Sequence, residues 1–289
     1  MRDQKDLLLE QKLGSIENLP TLPMVLRQIQ KVIQSSSSSM DQIAAVVAKD
    51  QALASRTIRL VNSAFYGMRE RVTSISHAIV VLGLNTLNNL MIGLSVVKLF
   101  KNSKFLGFDP EKFWEHSFGT ALIARTLAKD VCPKDGETAF ISGLLHDMGR
   151  MVLDQNLHDE FSKSLFQSRN EAKPLHECEK MVLGFDHADA GAWLGRKWGL
   201  PDALIAGIGY HHNCQTLPEA LQGHGELVRI ICIANRLCLS AGIGASGDQD
   251  YRSSGLYPVE GKSGKQVQEI TDLVRKEARN TIDEWNKAL

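Results

Sequence analysis

Apolar residues along most of this chain recur at intervals of three and four positions, the spacing that places them on one face of an α-helix. After Pro23 this spacing is carried by Val25, Leu26, Ile29, Val32 and Ile33. A longer amphipathic segment runs from Leu84 to Phe100. No part of the first 110 residues alternates apolar and polar positions as a half-buried strand does. The pattern predicts helices joined by short turns.

Polar and glycine residues mark turns in this first part of the chain. Serines occupy positions 35–39, and Ser39 with Gln42 three residues later forms a capping-box sequence. The serine run is therefore predicted to be a loop that precedes a new helix. A second turn is predicted at 62–67, and Gly83 is expected to end a short helix.

The second part of the chain predicts helices whose apolar stripes also contain polar residues. Asp109 and Pro110 are expected to begin one of these helices, as N-cap and first residue. Asp186 is expected to cap another, and the next is predicted from Asp202 to His212 with Pro201 at its first position. The polar residues that face inward with the stripes are His116, His146, Asp147, His187, His211 and Asn235, with His212 offset by one position.

These inward-facing polar residues predict a metal site. Each one alone has a structural explanation, such as a core histidine with a satisfied ring. As a set they would leave many unsatisfied buried groups unless they converge on one point. Imidazole and carboxylate ligands suit iron, manganese or zinc, so we predict one or two divalent ions. His212 is expected to be either a second ligand beside His211 or a hydrogen-bond partner.

The centre of this pattern is the pair His146-Asp147, which is predicted to lie within an apolar helix. Gly143 and Gly149 are expected to permit close packing of neighbouring helices there. Neighbouring helical positions are about 100° apart, so the two side chains can reach one centre or two adjacent centres. Arg150 lies one turn beyond His146. It is expected either to hold a phosphate or carboxylate at the same site or to make a surface salt bridge.

Composition and charge narrow the classes of partner. Lys plus Arg and Asp plus Glu number 33 each among 289 residues, so no net positive field attracts nucleic acid or an anionic membrane. No apolar run reaches the roughly 18 residues of a membrane span, and the first residues are charged rather than signal-like. These features favour a cytoplasmic protein. The 5 cysteines include no Cys-x-x-Cys pair, which disfavours disulfides and a thiolate zinc site.

The order of the histidine and aspartate motifs resembles the HD superfamily of metal-dependent phosphohydrolases, which are all-helical. More closely, the chain resembles the HDOD family, an HD-related output domain of bacterial signalling proteins. The segments that carry the closer resemblance are 19–23, 59–67 and 75–83. The resemblance covers residues 15–240 and implies an all-α fold of two helical lobes. The first is expected at 1–110, and the second, an HD-like helical bundle, at 111–240.

This resemblance also assigns roles to individual residues. It implies metal-ligand positions at His116, His146, Asp147, His187 and His211, with His212 adjacent. Asn235 stands where the superfamily has its last aspartate, which removes one anionic ligand. Arg150 stands where active enzymes of the HD-GYP branch have a lysine, and no Gly-Tyr-Pro motif follows His212. Cyclic di-nucleotide hydrolysis of the HD-GYP kind is therefore not expected.

Two functions remain open, and the first is favoured because the HDOD family has no general catalytic activity attached to it. The favoured function is a regulatory domain of bacterial signal transduction that retains the metal site. Its expected partners are signalling proteins acting in trans and a phosphate-containing small ligand. The alternative is a metal-dependent phosphomono- or diesterase with a dinuclear centre, in which Asp147 bridges two cations and Arg150 binds a phosphate oxygen. A third hypothesis is a scaffold that keeps the histidines without metal.

The tail at 241–289 is predicted to contain a loop and a helix. Gly and Ser residues between 242 and 265 indicate a mobile loop, which Tyr251 and Tyr257 are expected to pin to the body. The apolar stripe from Val267 to Trp285 predicts an amphipathic helix. We expect this helix to pack on the body rather than to bind a partner.

Overall fold

The computed structural model describes residues 4–16, 19–34, 40–101, 107–215, 217–247 and 257–289, and these residues contain no strand. The predicted all-α class is confirmed. Two short 3-10 helices occur at Pro133–Asp135 and Glu219–His224. The α-helices, in chain order, are α1 (Gln4–Leu13), α2 (Met24–Gln34), α3 (Met40–Val47), α4 (Gln51–Val61), α5 (Ile75–Leu82), α6 (Leu84–Phe100), α7 (Pro110–Val131), α8 (Gly136–Leu145), α9 (Met148–Asn156), α10 (His158–Glu171), α11 (Leu175–Leu183), α12 (His187–Trp198), α13 (Asp202–Tyr210), α14 (Gly225–Ser240) and α15 (Gly264–Ala288).

The chain divides into two compact units. The large unit consists of Met1–Leu19 and Lys104–Ala278, and the small unit of Pro20–Ser103 and Arg279–Leu289. These units differ from the segments 1–110, 111–240 and 241–289 expected from the sequence. One cause is that α1 packs on α12: the indole of Trp193 donates to Glu10 at 3.0 Å. A sequence boundary cannot anticipate this long-range contact.

The small unit contains the N-terminal segments of the family resemblance from Pro20 onward, and polar residues in these segments stabilise its turns. The side chain of Asn62, at the end of α4, accepts a hydrogen bond from the backbone N of Val72 at 2.8 Å and donates to the carbonyl of Val72 at 2.7 Å. Ser74 caps α5 by accepting from the N of His77 at 3.0 Å. Gly83 follows α5 with φ 82°, a conformation that favours glycine. The predicted turn at 62–67 and the glycine helix end are both confirmed. The capping box predicted for Ser39 lies outside the described residues.

The large unit is built on close helix contacts. Helices α7 and α8 pack against each other, α14 lies against both, and α12 packs on α9 and α13. A Cβ atom at Gly143 would come within 2.8 Å of the Cα of Ala121, and one at Gly149 would collide with the backbone of His187 and Gly191. The predicted need for small residues at both glycines is confirmed.

Capping signals located several helix ends correctly. Asp109 accepts from the N of Glu111 at 2.9 Å with Pro110 as the first helical residue, and Asp186 forms a capping box with Asp189 at the start of α12. The end of α12 at Gly199 has φ 69°. These N-cap and glycine signals act through local hydrogen bonds, so they can be recognised in the sequence.

Two predicted helices end earlier than expected. His146 and Asp147 lie in a turn between α8 and α9, so the prediction that they are within a helix is wrong. Asp147 has φ −95° and ψ 9°, in the bridge region, which breaks the helix while the apolar pattern continues on both sides. Similarly, α13 ends at Tyr210, so His211 and His212 lie in the following turn, and Pro201 is its N-cap rather than its first residue.

The tail forms the predicted amphipathic helix α15, whose apolar residues Val267, Val274 and Trp285 are buried. Tyr257 is pinned to α14, as expected, because its hydroxyl accepts a hydrogen bond from Arg236 at 2.8 Å. Tyr251 lies outside the described residues.

Across the described ranges no single helix is both long and apolar enough to cross a membrane. The pair α5 and α6 meets those criteria of length and composition only jointly, across a bend of 117°.

Candidate metal centre

Side chains from four parts of the large unit converge beside Asp147. His116 comes from α7, His187 from the first turn of α12, and His211 from the turn that follows α13. These residues, with His146 and Asp147, are at most 1% exposed. Such complete burial of imidazole and carboxylate groups is costly unless their polar atoms are satisfied by one another or by a bound ion.

The carboxylate of Asp147 presents one oxygen to each of two sets of histidines. Its Oδ2 lies 3.3 Å from Nε2 of His146 and 3.7 Å from Nε2 of His116. Its Oδ1 lies 3.1 Å from Nε2 of His187 and 3.6 Å from Nε2 of His211. Asp147 is therefore the shared member of the cluster.

The possible ligand atoms form two groups, each with all its atoms within 4.8 Å of one another. We call His116, His146 and Asp147 the first group, and His187, His211 and His212 the second group. Nitrogen and carboxylate oxygen are ligands that iron, manganese and zinc accept. The cluster could therefore hold a metal ion.

Hydrogen bonds to backbone carbonyls fix the orientation of two of the rings. Nδ1 of His146 lies 2.6 Å from the carbonyl oxygen of Gly143, and Nδ1 of His211 lies 2.7 Å from that of Ile208. A carbonyl oxygen only accepts, so each Nδ1 carries the proton. In the neutral ring each Nε2 then presents its lone pair on the side of Asp147, as is usual for histidines that bind metal.

Glu179 plays the same part for His187 and was not anticipated from the sequence. Its buried Oε2 lies 2.6 Å from Nδ1 of His187 and accepts from the backbone N of His187 at 2.8 Å. A signal did exist, because Glu179 falls in the buried stripe of α11 beside Leu175 and Cys178. Burial raises the pKa of Glu179, although the His187 charge acts in the opposite direction.

The charges of the cluster shift the pKa values of its members. Burial alone would raise the pKa of Asp147, but Arg150 and His146 hold it well below its usual range. Burial and Arg150 act to lower the pKa of His187, yet the Glu179 and Asp147 carboxylates raise it to about 10. Burial lowers the pKa of His211 to about 4. Asp147 is therefore ionised and His211 neutral near pH 7.

Arg150 is fully buried inside the cluster, which excludes the surface salt bridge that was one of its two expected roles. Its Nε lies 3.1 Å from Oδ1 of Asp147, and its Nη2 lies 3.3 Å from Nε2 of His187. Its Nη1 donates to the hydroxyl of Ser246 at 2.9 Å and to the carbonyl oxygen of the same residue. The sequence did not indicate Ser246, because its position depends on how the loop after α14 folds back.

Asn235 and His146 carry acceptor atoms that fit a cation. Asn235 is buried on α14, which packs against α7 and α8. Within the described part of the chain, Oδ1 of Asn235 and Nε2 of His146 have no hydrogen-bond partner. An amide oxygen and an imidazole lone pair can both bind a metal ion, so the residues present fit such an ion.

His212 is the half-buried member of the second group. Its Nε2 lies 2.9 Å from Nε2 of His187. Its ring stacks on that of His176 with 4.0 Å between the ring centres and an angle of 11°. His176, near the start of α11, is not among the residues that the sequence predicted for the site. The structure thus brings together all six of the predicted histidine and aspartate residues of the site.

Comparison with known proteins gives a family match. A family model for the HDOD domain matches residues 19–214. An uncharacterized protein of Treponema pallidum (strain Nichols) is 29% identical over 225 residues, which are 76% of this chain and 42% of that protein. The chain therefore spans less than half the length of this relative.

Several solved structures share the fold. An HDOD domain protein of unknown function from Geobacter sulfurreducens has a TM-score of 0.68 and 24% identity, covering 98% of this chain and 96% of that one. A candidate phosphohydrolase from Shewanella amazonensis SB2B has a TM-score of 0.66 and 24% identity, with 98% of both chains covered. A candidate signal transduction protein from Marinobacter aquaeolei VT8 has a TM-score of 0.70 and 23% identity, covering 99% of this chain and 65% of that one. At these identities the likeness concerns the fold alone.

Proposed function

Because this chain belongs to the HDOD family, we propose that it is a regulatory domain of signal transduction that retains an HD-type metal centre. The observation that carries this proposal is the shared carboxylate of Asp147, which faces histidines of both groups with its two oxygens. The state of this centre would reach signalling proteins through the helices that hold it, since α8 ends immediately before His146, α9 begins immediately after Asp147 and α12 begins at His187.

Iron, manganese and zinc are the ions that the donor set suits best. His116, His146 and Asp147 would hold such an ion, with Asn235 as a neutral oxygen donor in place of a carboxylate. A bound ion of this kind supplies Lewis acidity and positive charge. The hydrogen bonds from Nδ1 of His146 and from Nδ1 of His187 keep these rings oriented for binding.

Burial supports a regulatory role over a catalytic one. Asp147 is 0% exposed, and the histidines around it, apart from His212, are equally enclosed. A phosphoester would have to displace packed side chains before it could reach Asp147. Arg150 is held by Ser246 and Asp147, so it does not extend toward a substrate. We therefore place signalling partners, acting in trans, ahead of a small-molecule substrate.

A metal-dependent phosphohydrolase is the second candidate function. The observation in its favour is the same arrangement of two groups around one carboxylate, which is the form that a two-metal hydrolytic site takes. In that case Asp147 would hold the ions together, and Arg150 would bind a phosphate oxygen of the substrate.

Metal content and phosphoester turnover together separate these two functions. We expect untagged protein to contain iron, manganese or zinc, measured by mass spectrometry, and Asp147→Ala to lose it. Asp154→Ala is the matched control, because Asp154 is a buried carboxylate of α9 that pairs with His158 rather than with the cluster. We expect the metal-loaded protein to leave phosphomono- and diesters intact. Turnover that disappears in Asp147→Ala would instead establish the phosphohydrolase.

A further inference from the structure

The two groups are unequal in what already surrounds their ligand atoms. In the first group, Nε2 of His146 has only the 3.3 Å approach of Asp147 and makes no hydrogen bond within the described structure. In the second group, Nε2 of His187 lies 2.9 Å from Nε2 of His212 and 3.3 Å from Nε2 of His211. The guanidinium of Arg150 is a further neighbour of this atom. A cation is therefore needed more by the first group than by the second.

Arg150 contacts the same atoms that an ion in the second group would use. Its Nε pairs with Oδ1 of Asp147, the oxygen on the second-group side, and its Nη2 faces Nε2 of His187. Ser246 holds the opposite side of the guanidinium through its hydroxyl and its carbonyl oxygen. The positive charge of Arg150 is thus held in place beside the second group by these hydrogen bonds.

The charges around the histidines also disfavour a second divalent ion. Asp147 and Glu179 each bring a negative charge, while Arg150 brings a positive one and Asn235 brings none. One divalent ion already outweighs the negative charge that Arg150 leaves uncompensated. A second divalent ion would add two more positive charges to a site that is closed to water, which is strongly unfavourable.

We propose that Arg150 is the built-in cation of the second group, so that the centre takes a single divalent ion, held by the first group. The inference rests on the proposed function, because it concerns how the proposed metal centre is filled. By pairing with Oδ1 of Asp147, Arg150 also leaves Oδ2 directed at His146 and His116. Arg150 is a positioning residue here and does not itself bind the ion.

Mn²⁺ stoichiometry tests this inference without any measurement of activity. Untagged, metal-free protein is dialysed against Mn²⁺, the bound metal is measured by mass spectrometry, and electron paramagnetic resonance reports whether the ions are isolated or exchange-coupled. We expect about one equivalent in the native protein and about two, exchange-coupled, in Arg150→Gln, because the competing charge is gone. Arg150→Lys keeps a positive charge and should bind about one. Arg125→Gln is the control, because Arg125 pairs with Glu137 away from the cluster.

Each other result overturns the inference in a recognisable way. Two coupled ions in the native protein would refute the role of Arg150 and leave the proposed metal centre intact. A single ion in a folded Arg150→Gln variant would refute it too. No Mn²⁺ in the native protein would refute both the inference and the metal centre.

If Arg150→Gln fails to fold, anomalous diffraction from native crystals soaked in Mn²⁺ decides the matter. A single peak beside His116, His146 and Oδ2 of Asp147 is expected. A peak among His187, His211 and His212 would overturn the inference.

Discussion

The two groups of histidines that share Asp147 differ in what satisfies their ring nitrogens. In the first group, Nε2 of His146 makes no hydrogen bond among the described residues and lies 3.3 Å from the Asp147 carboxylate. In the second, Nε2 of His187 has two other imidazoles and the Arg150 guanidinium within 3.3 Å, besides Asp147 at 3.1 Å. The same types of residue thus form one group in which His146 faces the Asp147 carboxylate and one in which His187 also faces the Arg150 guanidinium.

This difference shows why a set of ligand residues does not by itself give the number of metal ions. Each group offers three possible ligands, and their separation within the cluster is similar. What distinguishes the groups is a neighbour that is not a ligand, Arg150, and the serine that holds it. Arg150 is carried to the cluster by α9, and Ser246 reaches it because the loop after α14 returns to the cluster.

The largest change in stability should come from Asp147→Ala, which removes the carboxylate that the two groups share. The change leaves the buried Arg150 without its carboxylate partner, and an uncompensated buried charge of this kind costs roughly 3–5 kcal/mol. We expect the metal-free variant to be less stable than the metal-free native protein by about that amount, as measured by urea unfolding.

The double variant Asp147→Ala with Arg150→Met is the control for this interpretation. Removal of the orphaned charge should restore part of the lost stability, because an apolar side chain is cheap to bury where an unpaired guanidinium is not. If the double variant were less stable than Asp147→Ala alone, the loss would come from packing, and the charge argument would be wrong.

The next prediction compares the Mn²⁺ affinities of two variants, each lacking one histidine from a different group. We expect His116→Ala to weaken Mn²⁺ binding by more than the roughly 100-fold that changes outside the ligand shell cost, since His116 is a proposed ligand. His212→Ala should leave the affinity nearly unchanged, because the second group is expected to hold no ion. Equilibrium dialysis of both variants provides the measurement. Equal losses in the two variants would remove the distinction between the groups.

The site residues that could be predicted from the sequence were predicted by local rules of helix formation. The inward direction of His116 and His187 follows from the 3.6-residue period of α7 and α12, and Asp186 fixed the start of α12 through a local hydrogen bond. The all-α fold follows from the same period along the chain. Rules of this kind depend only on residues that are close in sequence, so they can be applied without the structure.

The parts that the sequence did not reveal depend on contacts between different helices and loops. Arg150 reaches Ser246 across 96 positions of the chain, and Glu179 approaches His187 from a different helix. The break at Asp147 was missed because one residue in the bridge region ends a helix without changing the apolar pattern around it. Helix packing therefore determines which group contacts each histidine nitrogen, and the local sequence does not.

The smallest effect concerns the serine that holds Arg150. Ser246→Ala removes a hydroxyl that accepts from Nη1 at 2.9 Å, while the backbone carbonyl of the same residue still accepts. We expect a loss of about 0.5–1.5 kcal/mol in the free energy of unfolding. Ser240→Ala is the matched control, because the hydroxyl of this buried serine on α14 likewise accepts a hydrogen bond, from the backbone N of Tyr257 at 3.0 Å, without any contact to Arg150.

The Mn²⁺ stoichiometry of Ser246→Ala then separates two ways in which Arg150 could be fixed. The ion pair with Asp147, at 3.1 Å and fully buried, is the stronger interaction, so we expect the variant to remain at about one equivalent. A rise toward two equivalents would mean that the serine, rather than the carboxylate, keeps the guanidinium at the second group. The inequality of the two groups would then be set by the loop after α14, and changes in that loop would control how many ions the centre binds.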